Sequence, residues 1–331
     1  MLQRSGRMLG FALGMTGAAA LVAGVSSAAM AEFKPQKPIE FVVMAGKGGG
    51  ADKAVRFLQS IMAKENLASV PVIPVNKGGG SGAEALVYMK GKTGDDHTIM
   101  FTLNSFYTTP LRQPELGVDI TTFTPVMRMA EDTFCLWVNV ESGIDNIDGF
   151  VKAAKAKGKD WIMAGTGKAS EDNLLTDYLN TAYGLEMKYV PYKGGGAVAK
   201  ELAGKNADST VNNPSEQEPF FKVGDASNKT KPIACFTPEP IYEGVPTFKD
   251  QGKDFVYFMQ RSVVGAPGMS AEAAAYYQDL FTRVFNAKDW QAYRVKQKLQ
   301  GDPLSGDALM AYWKKENEVH RGMLKEMGEI K

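Results

Sequence analysis

Short apolar runs alternate with glycine-rich turns and helix-period segments along most of the chain. Ile39-Glu40-Phe41-Val42-Val43-Met44 reads as a buried strand, with a triple glycine after it. Ala54, Val55, Leu58, Ile61 and Met62 then recur at helical spacing as far as Asn66. Pro71-Val72-Ile73-Pro74-Val75 predicts a second strand, near a sheet edge because proline cannot serve a central ladder. A glycine turn from Asn76 to Gly82, a helix from Ala83 to Lys90 and a strand Thr98–Thr102 follow. After a proline-marked loop the pattern resumes with a strand at Phe134–Val138 and a helix Ile147–Lys157. Trp161–Ala164, Lys188–Tyr192, Ser209–Val211 and Ile233–Phe236 predict further strands, with helices at 171–183 and after Gly196. Beyond Val256 come a strand at Val263–Pro267, a helix capped by Ser270 and helices at 290–299 and 307–327.

Strands alternating with helices predict an α/β fold, with mostly parallel sheets covered by helices on both faces. Two such sets and a helical tail predict two lobes, the tail packing back on the first. In sheets of this kind ligands sit beyond the carboxyl ends of the strands, where the glycine turns lie.

The N-terminus has a different character. Arg4 and Arg7 precede a run from Met8 to Val25 without charge, and Ala29-Met30-Ala31 has the small-x-small form of a cleavage site. This predicts an export signal removed after Ala31. No other uninterrupted apolar stretch has spanning length. The whole chain carries 38 Lys and Arg against 37 Asp and Glu; without Arg4 and Arg7 the basic count is 36. A near-neutral chain gives no reason to expect nucleic acid as a partner. Cys135 and Cys235 read as buried thiols in apolar strands, although an oxidising compartment would permit a bridge. Two cysteines with His97 and His320 supply no metal cluster by spacing.

Lys-Gly-Gly-Gly occurs three times, at Lys47–Gly50, Lys77–Gly80 and Lys193–Gly196, each time between an expected strand and an expected helix. Glycine lets the backbone approach a ligand, and a helix start offers unpaired N–H groups with partial positive charge. Together they form an anion site. Gly165-Thr166-Gly167-Lys168-Ala169-Ser170 has the same setting with two hydroxyls added. Gly46-x-Gly48-x-x-Ala51 matches a dinucleotide fingerprint, but Val75-Asn76 stands where the ribose-binding acid belongs. None of these turns has the Gly-Lys-Ser/Thr of a phosphate loop. Gly79-Gly80-Ser81-Gly82-Ala83 narrowly misses the nucleophile-elbow pattern, and a triad would have to use one of only two histidines.

The order and spacing of several motifs resemble the periplasmic solute-binding proteins of tripartite tricarboxylate transporters, the Bug family. The anchors are Pro38-Ile39, Gly48-Gly49-Gly50-Ala51-Asp52, Asn76 to Glu84, Leu103-Asn104-Ser105, Phe123 to Val126, Val190 to Gly195 and Gly244-Val245-Pro246-Thr247. The resemblance spans essentially the whole mature chain. It implies a type II-like two-lobed periplasmic binding protein with a hinge of two crossover segments. The lobes would be residues 32–132 plus 258–331, and residues 133–257. It also implies a non-enzymatic monomer without cofactor, which captures a di- or tricarboxylate, an aromatic acid or an amino acid. The ligand would pass to large and small membrane subunits of a permease; the alternative is presentation of the bound acid to a sensor kinase. By the same resemblance the ligand is gripped by Ala45, Gly46, Lys47, Gly48, Gly49, Gly50, Ala51 and Asp52 from one lobe. Gly165, Thr166, Gly167, Lys168, Ala169 and Ser170 grip it from the other, with Asn104, Ser105 and Asn213 near the cleft. Lys47, Lys168, Glu171 and Asp172 depart from the family's usual text. The lysines would favour a second carboxylate; the acids would read an ammonium group, or simply face water at a helix start.

Overall fold

The computed structural model describes residues 33–331, so the expected leader and the cleavage point after Ala31 lie outside the described residues. The chain opens with β1 (Ile39–Val43), α1 (Gly50–Lys64), β2 (Val72–Asn76), α2 (Ala83–Lys90), β3 (Thr98–Phe101) and α3 (Ser105–Arg112). A long strand, β4 (Thr124–Thr133), leads almost directly into β5 (Cys135–Asn139). Then come α4 (Ile147–Lys157), β6 (Ile162–Thr166), α5 (Glu171–Tyr183), β7 (Lys188–Tyr192) and α6 (Gly195–Ala203). β8 (Ser209–Asn212), the short α7 (Pro214–Gln217) and β9 (Thr230–Cys235) finish this set. The chain returns through β10 (Phe258–Gly265) to α8 (Ala271–Asn286), α9 (Lys288–Lys296), β11 (Leu304–Ser305) and α10 (Gly306–Glu326).

These strands make two sheets, ordered β11-β4-β10-β3-β1-β2 and β7-β6-β8-β5-β9. The strand period of two places successive side chains on opposite faces, and both faces are filled. Ile39, Phe41 and Val43 enter a core with α1 and α8, while Val42 and Met44 enter another with α2, α3 and α10. In the second sheet Leu136 and Val138 pack under α4 and α5, whereas Cys135 and Trp137 face Leu202 of α6. β2 and β7, which contain Pro74 and Pro191, are edge strands. Ser270 caps α8 by accepting a hydrogen bond from the Ala273 N–H at 3.2 Å. Among the described residues no helix is long and apolar enough to cross a membrane.

Three expectations need correction. The sheets are mixed rather than mostly parallel. β1 pairs in parallel with β2 and β3, as does β6 with β7 and β8, but the pairings of β4, β5, β9, β10 and β11 are antiparallel. The parallel neighbours β1–β2 and β6–β7 are joined by helical crossovers, whereas β4 and β10 carry the chain between the sheets side by side in opposite directions. Second, the proline-marked loop before Phe134 contains β4, whose charges are paired within the protein: Arg128 with Glu131, and Asp132 with Arg261. Third, Cys135 and Cys235 are not free thiols but a disulfide. They stand directly opposite each other in the antiparallel β5–β9 register, which brings their side chains together on one face.

Candidate functional site

The turn after β1 and the turn after β2 open toward the turns after β6 and β7. Between them lies a cavity of about 620 Å³. All four turns contribute to its lining, through Gly46, Gly49 and Gly50, Gly78 to Gly82, Thr166 and Gly167, and Lys193 to Gly195. Of the residues expected from sequence, Ala45, Gly46, Gly49, Gly50, Ala51, Ser105, Thr166, Gly167, Ser170 and Asn213 line the cavity. Lys47, Gly48, Asp52, Asn104, Gly165, Lys168 and Ala169 lie outside that lining.

Several of the outlying residues have identifiable tasks. Asp52 accepts hydrogen bonds from the Gly48 N–H at 2.9 Å, from Arg56 at 3.0 Å and from Asn76 at 3.0 Å, which ties the first turn to the second. Burial tends to raise its pKa, but these bonds hold the carboxyl below the ordinary range. Lys47 is exposed, and Lys168 pairs with Glu329 at 3.1 Å near the C-terminus. The two lysines therefore do not form a cationic pair across the cavity. Asn104 is a buried clip: its side chain donates to the Tyr257 hydroxyl at 3.1 Å and accepts from the Gln260 N–H at 3.0 Å. Gly165 is required sterically, because a Cβ there would overlap the Tyr189 ring, whose hydroxyl donates to the Thr166 carbonyl at 2.7 Å.

The cavity is also lined by Glu171 and Asp172, which are buried rather than facing water at a helix start, and by Glu216 and Arg261, which the sequence reading did not single out. Each acid is buried and accepts from a backbone N–H at a turn. Glu171 takes the Asn104 N–H at 2.7 Å, just before α3; Asp172 takes the Thr166 N–H at 2.8 Å; Glu216 takes the Gly50 N–H at 3.1 Å, at the start of α1. Glu171 and Glu216 belong to the second set of elements and bond to the first, so they bridge the two sheets, as does the Lys53 bond to the Ser215 carbonyl at 3.1 Å. Burial raises all three carboxyls, and the charges of Glu216 and Glu171 push Asp172 higher still. Arg261 is itself buried and donates through Nε to Asp132 at 3.0 Å. In sequence the signal for Arg261 was a charge inside the run Phe258 to Val264; Glu216 stood two residues beyond Pro214 without distinguishing context.

Comparisons with known proteins bear on this arrangement. The chain is 22% identical over 277 residues to the UPF0065 protein in the gbd 5′ region of Cupriavidus necator, covering 83% of each chain. It is 23% identical over 197 residues to Protein BugT of Bordetella pertussis, covering 58% of this chain and 59% of that one. The fold matches that of the periplasmic binding protein BugD with a TM-score of 0.81 at 20% identity, over 89% of this chain and 99% of that one. It matches R. palustris Rpa4515 with adipate (TM-score 0.81, 19% identity, 89% and 98% covered). MatC from Rhodopseudomonas palustris with bound malate gives a TM-score of 0.76 at 19% identity, with 88% and 99% covered. Residues 54–256 match the family described as tripartite tricarboxylate transporter family receptor, and the chain belongs to that family of solute-binding proteins.

Proposed function

We propose that the chain captures a small organic carboxylate in this cavity and delivers it to the large and small membrane subunits of a tripartite permease. The lobes that close on it are residues 32–132 with 258–331, and residues 133–257. The observation that carries the reading is the convergence of four strand-to-helix turns, two from each sheet, on one cavity. Helix starts concentrate unpaired N–H donors, the groups that suit a carboxylate. A hydrogen bond to a charged group contributes about 1.5–3 kcal/mol net, and micromolar binding needs about 8 kcal/mol, so a few such bonds suffice. Adipate and malate on two similar folds support the ligand class. The protein acts in the periplasm as a monomer after loss of its leader at Ala31, and performs no chemistry on its ligand.

A thermal-shift screen of mono-, di- and tricarboxylates, aromatic acids and amino acids tests this. A stabilising organic acid is the expected result. A shift with a sugar or a metal ion, and with no organic acid, would overturn the reading.

A further inference from the structure

The charge balance of the cavity is unusual for a site meant for an anion alone. Glu171, Asp172 and Glu216 all line it. Among the described residues their hydrogen-bond partners are backbone N–H groups rather than lysine or arginine. The buried cation on the lining, Arg261, spends Nε and Nη2 on Asp132. The exposed Lys193 adds a second positive charge at the rim. Three buried carboxyls thus face a solute-sized space without an ion pair among the described residues; Arg261 acts on Glu171 and Glu216 from nearby, and Lys53 on Glu216, but no cation acts on Asp172.

Some of the backbone donors at these turns, the Gly50, Asn104 and Thr166 N–H groups, are already used by the protein's own acids. Glu216 is the clearest case. Its carboxyl sits on the Gly50 N–H at the start of α1 and so close to Gly195 at the start of α6 that a Cβ on Gly195 would overlap it. Two helix starts, one from each sheet, therefore converge on an internal carboxylate. Beside it the Ser215 hydroxyl, only 3% exposed, has no hydrogen-bond partner. That hydroxyl faces the Cα of Gly50 on the side where Arg261 Nη2 and Glu216 Oε1 also lie. Among the described residues no group of His, Cys, Asp or Glu is arranged to hold a metal ion.

We infer that the ligand carries a cationic nitrogen as well as a carboxylate, the nitrogen facing Asp172 and Glu216 and the carboxylate facing Arg261. This rests on the carboxylate-capture reading and narrows it to amino acids and related zwitterions. Arg261 is suited to its part: a guanidinium has five N–H donors, and Asp132 holds it from behind through two of its nitrogens. A cation entering near Asp172 supplies the opposite charge that this acid lacks, while a second ligand carboxylate in its place would add one more negative group beside the three acids. The raised carboxyls make the choice measurable, because a nearby cation lowers their pKa and expels protons, whereas a nearby anion raises it and takes protons up.

Calorimetry in buffers of different ionisation enthalpy provides the test. The probes are matched ladders of three to six carbons: diacids, α- and ω-amino acids, monoacids and diamines. An amino acid is expected to bind at least tenfold more tightly than the diacid of equal length, with net proton release. Asp172→Asn and Glu216→Gln should each shrink that preference tenfold or more; the wild-type ladder stands alone if a variant fails to fold. Tightest binding by a diacid, with proton uptake, would overturn the inference and leave carboxylate capture intact. Binding by diamines alone would overturn both, and binding by no member of any ladder would overturn the inference.

Discussion

His320 offers a sharp test of how the C-terminal helix is joined to the rest of the molecule. It is buried on α10 between two partners that fix its tautomer. Nδ1 lies 2.7 Å from the Glu316 carbonyl and so donates, which leaves Nε2 to accept from the Tyr257 hydroxyl at 3.1 Å. That hydroxyl in turn accepts from the Asn104 side chain at 3.1 Å. A second proton on the ring would confront the Tyr257 O–H with a donor and place a charge in a site without solvent. Burial accordingly lowers the His320 pKa from 6.5 to about 4, against the smaller opposing effect of the Glu316 carbonyl. The sign follows from linkage. Below pH 6.5 the unfolded chain takes up a proton that the folded chain refuses until about pH 4. The stability of the wild type is thus unaffected by this group above pH 6.5, falls through that window and levels off below it. A displacement of some 2.5 units at 1.36 kcal/mol per unit gives a loss of about 3 kcal/mol.

The raised acids contribute in the opposite sense. Asp132, Glu171, Asp172, Asp177, Glu216 and Glu316 hold their protons to higher pH folded than unfolded, so they favour folding as pH falls toward the ordinary carboxylate range. Only a difference measurement isolates the histidine. Urea midpoints of wild type and His320→Gln, taken from pH 7.5 to 4, should differ by a constant amount above pH 7. The wild type should then lose about 3 kcal/mol relative to the variant on acidification. A pH-independent difference, or an imidazole titrating near 6.5 by NMR, would refute the account.

Three other outcomes are expected. Reduction of the Cys135–Cys235 bridge releases a loop with a sequence separation of 100, and loop-closure entropy puts the loss at about 3–5 kcal/mol in denaturant titrations with and without reductant; unchanged stability would rule out a structural bridge. Gly195→Ala places a methyl group on the Glu216 carboxyl and should destabilise by about 1–3 kcal/mol, most of which disappears in a Glu216→Ala background; simple additivity in the double-mutant cycle would show that the two do not meet. Lys47→Ala and Lys168→Ala each remove an exposed side chain outside the cavity lining, so calorimetric affinity for any bound organic acid should stay within twofold of wild type; a tenfold loss for either would place that lysine in the grip.

The legible part of the fold was the part governed by local rules. Glycine turns between strands and helices located the cavity because that geometry needs only neighbouring residues, and Pro74 and Pro191 marked edge strands through their missing donors. β4 escaped because a strand that carries Arg128, Glu131 and Asp132 looks solvated until Arg261, distant in sequence, is brought alongside. The disulfide escaped for a related reason. Cys135 and Cys235 become partners only through the β5–β9 register, and single apolar strands do not disclose their neighbours. Parallel and antiparallel neighbours are likewise indistinguishable in a buried strand, since both demand an apolar run on each face.

The same distinction separates the cradle from its occupant. A run such as Lys47-Gly48-Gly49-Gly50 announces that an anion can be received at the start of α1, since the donors belong to the turn itself. It does not announce whose anion. Here Gly50 receives Glu216, which lies 166 positions further along, and the turn after β6 receives Asp172 from the helix it begins. With these two donors engaged, the charge that the proposed site presents would be set largely by the acids and by Arg261. In the proposed site, selectivity would therefore reside less in the glycine motifs than in the side chains that fill them. Two chains with the same turns would prefer different ligands if one kept its backbone donors free and the other, like this one, supplied carboxylates of its own.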